Sequence, residues 1–138
     1  MEKRKIVFHL NCLEHGGAER VVSNLANRFG QEGYDVIVAT EWQGKEEFAL
    51  NPPVRREVVG LRPGDEKKSR IAKFLLRIKY LRKFLKKEKP DMVIAFMQKA
   101  NYRALTATLG TNIPVIVCSR NNPSVYYRAM SVNDQNRL

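Results

Sequence analysis

The sequence predicts an α/β fold: a Rossmann-like, doubly wound parallel sheet in a single domain. Three observations support this prediction. Five short apolar runs rich in Val and Ile alternate with longer stretches of helical periodicity, as in βαβ units. Several of these runs are continuous rather than alternating, which is typical of parallel strands buried on both faces. A chain of 138 residues with 43% apolar and 28% charged residues also suits one soluble globular domain.

The five apolar runs predict five strands, and the connections between them predict their order. Right-handed crossovers and short connections favour the order 3-2-1-4-5, in which the topological switch point lies between the first and fourth strands. Continuous runs such as Ile6-Val7-Phe8 and Val115-Ile116-Val117 predict strands covered by helices on both faces. In this order, Cys12 and Cys118 lie too far apart for a disulfide. The predicted strands cover residues 6–10, 36–40, 58–61, 92–97 and 115–118.

Three longer amphipathic patterns predict the helices, and glycine, serine and proline mark their ends. Gly16-Gly17 makes the turn into the first helix, Ser69 is a suitable N-cap for the second, and Pro90 stops the second. The stretch 44–56 contains two adjacent prolines and is predicted to be a loop. The predicted helices begin near residues 16, 69 and 101 and end near residues 30, 88 and 109.

The loop from the first strand to the first helix, residues 11–20, is the first candidate binding site. Ligands of doubly wound sheets bind beyond the carboxyl ends of the strands at the switch point, where this loop meets residues 98–102 and 119–124. The adjacent Gly16 and Gly17 allow a ligand to approach closely, and the N–H groups at a helix start attract phosphate. A tight turn that binds nothing is the alternative interpretation of the two glycines.

A nucleotide- or dinucleotide-binding module is a further alternative that the same loop leaves open. Glu41, at the end of the second strand, stands where a ribose-binding acid would stand. The loop matches neither the GxxxxGK[ST] nor the GxGxxG pattern, which weakens this alternative. With two histidines and no acidic cluster at ligand spacing, no metal site is expected. His9 lies among apolar neighbours and is expected in the core.

The second predicted helix concentrates the positive charge of the chain. Residues 67–89 hold eleven basic residues and one acid, and so carry +10 of the net charge of +11. Helical periodicity places Ile71, Phe74, Leu75, Ile78, Leu81 and Leu85 in one stripe against the sheet. Leu76, Tyr80 and Phe84 then form a second apolar row on the outer face of the helix, among basic residues. An anionic membrane surface attracts the basic side chains and takes up the apolar ones. The predicted membrane-binding residues are Lys73, Leu76, Arg77, Lys79, Tyr80, Lys83, Phe84 and Lys87.

Two other interpretations of this basic helix stay open. Its aromatic residues can instead cover the lysine stems or a neighbouring loop on an ordinary solvated face. A basic nucleic-acid-binding module is less favoured, because one helix carries nearly all of the charge and no known nucleic-acid module accompanies it.

Two stretches of the sequence resemble the retaining GT-B glycosyltransferases of family 4. His15-Gly16-Gly17-Ala18-Glu19-Arg20-Val21-Val22-Ser23-Asn24-Leu25-Ala26 resembles their first glycine loop and helix. Val117-Cys118-Ser119-Arg120-Asn121-Asn122-Pro123 resembles a stretch written Ser-Glu-Arg-Asn-Asp-Pro in many members that act on lipid-linked or polysaccharide acceptors. The two motifs occur in the order, and on the elements, in which the family has them.

The resemblance implies half of an enzyme with two facing Rossmann-like domains. In such enzymes the amino-terminal domain takes the acceptor, and the carboxy-terminal domain holds most of the nucleotide-sugar. Residues 1–122 are expected to form the acceptor domain, and residues 123–138 a loop or short helix leading towards the donor domain. The paired-glutamate motif and the Arg/Lys pair of the donor domain are absent from the chain. The isolated chain is therefore expected to be inactive, and the donor is expected to bind only to the full-length enzyme.

The resemblance also assigns residues to the cleft between the two domains. Gly16, Gly17 and Glu19 would face the transferring sugar and the donor diphosphate. Many members carry a histidine after the fourth strand, whereas this chain has Met97-Gln98-Lys99, where Gln98 can donate a hydrogen bond but cannot carry a proton. No catalytic residue is assigned. The residues expected to line the cleft are His15, Gln98, Lys99, Arg120, Asn121 and Asn122.

The function implied by the resemblance is transfer of a sugar from a nucleoside-diphosphate donor, expected to be UDP-linked, to a lipid-linked or polysaccharide acceptor. This chemistry belongs to cell-envelope polysaccharide biosynthesis. The expected location is cytoplasmic, peripheral on the inner face of the plasma membrane, because similar enzymes attach there and the sequence shows neither a signal peptide nor a membrane span. No cofactor besides the donor is expected, and nucleic acid is not an expected partner.

Overall fold

The computed structural model describes residues 3–14 and 16–118, which form one five-stranded parallel sheet with helices on both sides. The strand order β3-β2-β1-β4-β5 confirms the order and the Rossmann-like α/β class that the sequence predicts. The strands are β1 (Lys5–Leu10), β2 (Asp35–Thr40), β3 (Arg55–Val58), β4 (Met92–Phe96) and β5 (Val115–Cys118). The helices are α1 (Gly17–Gln31), α2 (Arg70–Glu88) and α3 (Gln98–Ala107), and Asp65–Lys67 forms a short 3-10 turn.

β1 lies at the centre of the sheet, because its side chains are suited to burial on both faces. It pairs in parallel with β2 on one side, where Ile6 is opposite Val36, and with β4 on the other, where Ile6 is opposite Met92. All of its residues after Lys5 are buried. The carboxyl ends of β1 and β4 therefore meet at the switch point of the sheet.

Two hydrophobic clusters fill the two faces of the sheet, because successive side chains of a strand point to opposite faces. Phe8 packs with Val22 and the rest of the apolar face of α1. Val7, one residue earlier, packs with Leu81 and Leu85 of α2 on the other face, which α3 also covers. Each fully buried side chain of this size contributes about 1.5–3 kcal/mol relative to exposure.

The ends of α2 are those that the sequence predicts. Ser69 Oγ accepts a hydrogen bond from the backbone N–H of Ala72 at 3.2 Å, which caps the helix start. Lys89 closes the helix in a left-handed conformation, with φ 51°, and Pro90 follows it. Among the described residues, none of the helices has both the length and the apolar character needed to span a bilayer.

β3 and α3 differ from their predicted bounds. β3 spans Arg55–Val58 instead of 58–61, because this edge strand is defined by its backbone pairing with β2 rather than by apolar burial. The chain after β3 then passes close to the end of β2, where a methyl group on Gly60 would lie 1.9 Å from the Glu41 carbonyl oxygen. α3 begins at Gln98 rather than near residue 101, directly after β4.

β5 contradicts the prediction that its continuous apolar run is covered on both faces. Ile116 and Val117 point to opposite faces, and each is 47% exposed. Among the described strands, β5 pairs only with β4, so it lies at the edge of the sheet. The helices that cover the central strands leave its side chains accessible. Cys12 and Cys118 are both free thiols, as the strand order predicts.

α2 is buried along only part of its length, which corrects the predicted apolar stripe. Leu81 and Leu85 are fully buried, whereas Ile71, Phe74 and Leu75 are 74%, 57% and 58% exposed. Periodicity shows which residues share a face of a helix, but it does not show where the sheet beneath that face ends. The first two turns of α2 extend beyond the core.

Candidate functional site

The carboxyl ends of β1 and β4 form the centre of the candidate site. Asn11 follows β1 and leads into the glycine loop, and α1 begins at Gly17. Met97 follows β4, and α3 begins at Gln98. The structure therefore brings the predicted glycine loop and the predicted segment after β4 to the same edge of the sheet, where ligands of this fold bind.

Gly16 and Gly17 make the turn into α1. Gly16 is the N-cap residue in an extended conformation, and as a glycine it offers no side-chain oxygen to cap the helix. The Glu19 carboxylate lies beside Gly16, since a methyl group on Gly16 would come within 2.2 Å of Glu19 Oε2. A negative charge in the first turn favours the helix. The Glu19 side chain therefore fills the space beside Gly16 that a larger residue at this position would need.

Met97 has a strained backbone between β4 and α3. Its φ of 76° and ψ of 149° lie in a region that glycine adopts readily and other residues rarely adopt. Such a conformation costs about 1–3 kcal/mol and is found most often at functional sites. The turn allows α3 to begin directly after the strand, and Gln98 and Lys99 are exposed there. Gln98 Nε2 donates to the Tyr102 hydroxyl at 3.4 Å.

Buried charges lie beneath the carboxyl ends of β1 and β2. Glu41, the first residue after β2, is 4% exposed, and its Oε1 lies 2.9 Å from Nε of Arg103 on α3. The same Nε donates to His9 Nε2 at 3.0 Å. Nε of Arg77, on α2, lies 3.9 Å from Glu41 Oε2. These four residues, His9, Glu41, Arg77 and Arg103, are called the charged cluster. It connects α2 and α3 to β1 and to the end of β2.

His9 is neutral in the charged cluster, and its neighbours fix its tautomer. Its Nδ1 lies 2.9 Å from the Ala39 carbonyl oxygen, which can only accept, so Nδ1 carries the proton and Nε2 accepts from Arg103. Burial, followed by the charge of Arg103, lowers the pKa of His9 to about 3. Burial also raises the pKa of Glu41, against the opposing effect of the two guanidinium groups. Burial lowers the pKa of Arg103.

The charged cluster confirms one prediction from the sequence and corrects another. His9 is 0% exposed, as expected for a core residue. Glu41 is not available to a ribose, because its carboxylate is buried against Arg103, and this removes one of the two features that supported a dinucleotide site, the other being the glycine loop. Arg103 was not predicted, although the sequence holds a signal for it. It is the one charged residue on an otherwise small-residue buried face of α3, formed by Ala100, Ala104 and Ala107.

The carboxyl-terminal half of α2 packs against the loop after β3, which corrects the predicted outer row of this helix. The Tyr80 hydroxyl donates to Asp65 Oδ2 at 2.8 Å, and the Arg62 guanidinium carbon lies 4.6 Å from the Tyr80 ring centroid. Phe84 packs against the core cluster beneath α2, and Leu76 is half-buried. The aromatic residues of this row therefore cover a neighbouring loop, which was the alternative interpretation.

The basic residues of the predicted membrane-binding set occupy different positions on α2. Lys79, Lys83 and Lys87 are exposed, and Lys73 is half-buried. Arg77 turns inward to the charged cluster. Lys83 and Lys87 line an open groove of about 380 Å³ between α2 and the loop after β3.

The amino-terminal half of α2 exposes a different group of apolar side chains. Ile71, Phe74 and Leu75 are exposed there, as are the basic residues Arg70 and Lys79 of the same helix and Lys67 of the 3-10 turn before it. We call these six residues the amphipathic patch. Exposed apolar side chains combined with basic ones are typical of a surface that binds a membrane or another partner.

Four predicted cleft residues and one predicted segment lie outside the described residues. His15 lies in the gap at the glycine loop, and Arg120, Asn121 and Asn122 follow β5, as does the segment 123–138. Their assignments stay predictions.

The fold and the site define the class of protein: a Rossmann-like α/β domain with a glycine loop at its switch point. The chain is similar to sucrose-phosphate synthase from Thermosynechococcus elongatus, with a TM-score of 0.69 at 13% identity over 96% of this chain and 37% of that one. It is also similar to a glycosyltransferase from Rickettsia africae, with a TM-score of 0.60 at 17% identity over 94% of this chain and 35% of that one. These likenesses show the fold alone.

The sequence comparison identifies the family. Residues 15–133 match Glycosyltransferase Family 4, and the chain belongs to this family. The chain is also 30% identical over 118 residues to GalNAc-alpha-(1->4)-GalNAc-alpha-(1->3)-diNAcBac-PP-undecaprenol alpha-1,4-N-acetyl-D-galactosaminyltransferase of Campylobacter jejuni. This match covers 86% of the chain but 33% of the relative, so the chain spans about a third of that protein's length. The family resemblance of the two sequence motifs is thereby confirmed.

Proposed function

We propose that this chain is the acceptor half of a two-domain glycosyltransferase. The enzyme would transfer a sugar, with retention of its anomeric configuration, from a nucleoside-diphosphate donor to a lipid-linked or polysaccharide acceptor. The observation that carries the proposal is the match of residues 15–133 to Glycosyltransferase Family 4. Residues 1–122 would form the acceptor domain, and the rest of the polypeptide would hold most of the donor, with UDP as the proposed nucleotide.

The name of the Campylobacter relative supports a lipid-linked acceptor. That enzyme is named for a glycan carried on PP-undecaprenol. The long apolar chain of such an acceptor stays in the bilayer because exposing it to water is unfavourable. An enzyme that uses an acceptor of this kind has to work at a membrane surface.

The amphipathic patch supports peripheral attachment to the inner face of the plasma membrane. Phe74 and Leu75 are more than half exposed, so they can enter the headgroup region without disturbing the core. Each Lys or Arg near an anionic membrane contributes about 1 kcal/mol, and the patch supplies Lys67, Arg70 and Lys79, all of them exposed. We place the membrane contact at the patch rather than at Tyr80 and Phe84, because those two rings pack against the protein itself.

In the proposed reaction, the acceptor oxygen attacks the sugar from the face that the donor diphosphate leaves. The bond between the sugar and the diphosphate breaks, the bond to the acceptor forms, and the leaving diphosphate takes up the acceptor proton. Hydrogen-bond donors at the glycine loop would stabilise the charge that develops on the diphosphate. Gln98 would hold a ligand oxygen and not transfer a proton. The reaction needs no covalent enzyme nucleophile.

A transfer assay tests the proposal. The full-length protein is incubated with radiolabelled UDP-sugars and vesicles that contain a glycan on undecaprenyl diphosphate. We expect label in the organic phase with the full-length protein and none with the 138-residue chain. We expect the anomeric configuration of the donor in the product, as determined by NMR.

A matched pair of variants connects the assay to the glycine loop. Gly16→Val places a branched side chain against the Glu19 carboxylate, so the glycine loop has to shift, and transfer should fall at least about tenfold, since misplacement at a reacting centre has effects of this size. Asn24→Val, on the exposed face of the same helix, should leave transfer unchanged. Absence of transfer from every UDP-sugar, or equal activity of the two variants, would contradict the proposal.

A further inference from the structure

Asn11 is the residue at which the charged cluster reaches the candidate site. It directly follows β1, at the entrance to the glycine loop. Its carbonyl oxygen accepts the backbone N–H groups of Glu41 at 2.9 Å and Trp42 at 3.2 Å, which fixes its backbone against the end of β2. The alternation of the strand places its side chain on the same face as that of His9. The residue is half-buried, so its side chain is not sealed within the core.

Arg103 fixes the orientation of the Asn11 side-chain amide. Arg103 Nη2 donates to Asn11 Oδ1 at 2.5 Å. Because a guanidinium group has only donors, the amide oxygen must face Arg103 and the NH₂ group must point away from it. Arg103 is itself held by His9 and Glu41. Within the described part of the chain, no acceptor bonds to the Asn11 NH₂ group.

The charged cluster that Asn11 adjoins carries a net positive charge; Arg103 is its member in contact with Asn11, and the side chain of Arg77 is 38% exposed. The charged cluster contains two guanidinium groups and one carboxyl group, and its histidine is neutral. Its net charge is therefore positive whether or not Glu41 carries a proton. In a partly buried site, an N–H donor beside positive charge favours an anionic oxygen over a neutral hydroxyl group.

We propose that the Asn11 side-chain amide donates a hydrogen bond to a phosphate oxygen of the ligand at the switch point, and that Arg103 is the positioning residue that orients this amide. The inference rests on the proposed function, which supplies two sources of such an oxygen, the diphosphate of the donor and that of the lipid-linked acceptor. Their shared chemistry is a diphosphate oxygen that accepts an N–H bond.

Binding of inorganic pyrophosphate to the full-length protein tests the role of Asn11. Pyrophosphate should shift the NMR signals of the Asn11 NH₂ group. Asn11→Asp retains an oxygen for Arg103 but loses the NH₂ donor, so the chain should stay folded and bind pyrophosphate at least about tenfold more weakly. Asn24→Asp makes the same change of charge on the exposed face of α1 and should change the affinity less than about twofold. Equal losses in the two variants, or no loss in Asn11→Asp, would overturn the inference.

A double-variant comparison tests whether Arg103 acts through Asn11. Arg103→Lys keeps the positive charge but lacks the planar group that bonds His9 and Asn11 together. It should weaken pyrophosphate binding, and Asn11→Asp added to it should cause no further loss, because the two changes remove one interaction. Additive losses would show that Arg103 does not act through Asn11. If Arg103→Lys unfolds the chain, the NMR relaxation of the Asn11 side-chain NH₂ group is measured in the unaltered protein instead. An amide that rotates freely would show that Arg103 does not hold it in place.

Two ligands distinguish the source of the diphosphate. In the full-length protein, UDP presents the donor diphosphate and farnesyl diphosphate presents the prenyl diphosphate. Asn11→Asp should weaken binding of the ligand whose phosphate the amide contacts. If neither is weakened, the inference is wrong. Different results would contradict the inference and the proposed function. Asn11-dependent pyrophosphate binding without sugar transfer would contradict only the proposed function, and sugar transfer that is unaffected by Asn11→Asp would contradict only the inference.

Discussion

Among the residues at the candidate site, Met97 combines an ordinary side chain with a backbone conformation that suits glycine. Met97 is 45% exposed, so removing its side chain loses only part of the surface that a core methionine would bury. We therefore expect Met97→Gly to raise the free energy of unfolding by about 1 kcal/mol, the relief of strain being partly offset by the greater freedom of glycine in the unfolded chain. Urea denaturation followed by circular dichroism measures this change.

The neighbouring residue provides the control for Met97→Gly. Gln98 is the first residue of α3 and has no such strain, so Gln98→Gly should lower the free energy of unfolding by about 0.5–1 kcal/mol. If both glycine variants lower stability, the conformation of Met97 is not strained in solution.

His9 makes stability depend on pH between about 6.5 and 5. The unfolded chain binds a proton on this histidine near pH 6.5, whereas the folded chain does so only near pH 3, because burial and then Arg103 lower its pKa. The unfolded state therefore binds more protons in this interval, and stability falls as the pH falls. The contribution of His9 is on the order of 2 kcal/mol between pH 6.5 and 5. Glu41 acts in the opposite sense, because its pKa is raised in the folded state.

Two histidine variants test the pH dependence. His9→Gln should remove most of the decline in the free energy of unfolding between pH 6.5 and 5, whatever its effect on stability at pH 7. His15→Gln changes the other histidine of the chain and should retain the decline. Equal slopes for His9→Gln and the unaltered protein, measured by urea denaturation at each pH, would show that His9 does not titrate in this way.

At the scale of elements, α2 shows how one helix can serve two purposes along its length. Its second half supplies Leu81 and Leu85 to the core, and its first half exposes Phe74 and Leu75. The helical period is the same in both halves. The difference arises because the sheet and the loop after β3 lie beneath only the second half.

The first half of α2 should bind anionic vesicles. Phe74→Ser combined with Leu75→Ser should weaken binding to vesicles that contain phosphatidylglycerol at least about tenfold, because the two side chains lose their transfer into the interface. The thermal midpoint should change little, since both residues are already exposed. Co-sedimentation with vesicles measures the binding.

Leu105 and Leu109, on and just after α3, are the matched control for this pair, being 44% and 66% exposed. Leu105→Ser combined with Leu109→Ser removes comparable apolar surface outside the amphipathic patch, next to Arg82 in the second half of α2, and should leave vesicle binding unchanged. Tyr80→Ser combined with Phe84→Ser should instead lower the thermal midpoint, because both rings pack against the protein. Equal binding by the Phe74/Leu75 and Leu105/Leu109 variants would show that the patch is not the anchor.

At the scale of the whole molecule, one sheet connects all of the described helices, so we expect the chain to unfold in one transition. Trp42, the single tryptophan, lies just after β2 at the carboxyl edge of the sheet and reports on the candidate site. Its fluorescence and the far-ultraviolet circular dichroism should change at the same urea concentration. An earlier change in fluorescence would show that the carboxyl edge opens independently of the sheet.

The strand order was predicted correctly because the patterns that specify it lie within short segments of the sequence. Continuous apolar runs and the rule for right-handed crossovers were enough to predict the strand order, and Ser69 and Pro90 were enough to predict the ends of α2. The bounds of β3 and the buried face of α2 were not predicted correctly, since each depends on which element lies next to it. The glycine loop was found because a short motif encodes it. The contact of Arg103 with Glu41 and His9 joins residues that are distant in the sequence, and no local pattern encodes such a contact.

The charged cluster also restricts how the sequence of this domain can change over generations. Removing one partner of a buried ion pair typically costs about 3–5 kcal/mol, so losing Arg103 while Glu41 remains would remove a large share of the about 5–15 kcal/mol that keeps such a domain folded. Lineages that lose one of these residues should therefore also have replaced the other, with a smaller or apolar pair at both positions. Transplanting the carboxyl edge of this sheet into a related enzyme would accordingly require His9, Glu41 and Arg103 to be moved together.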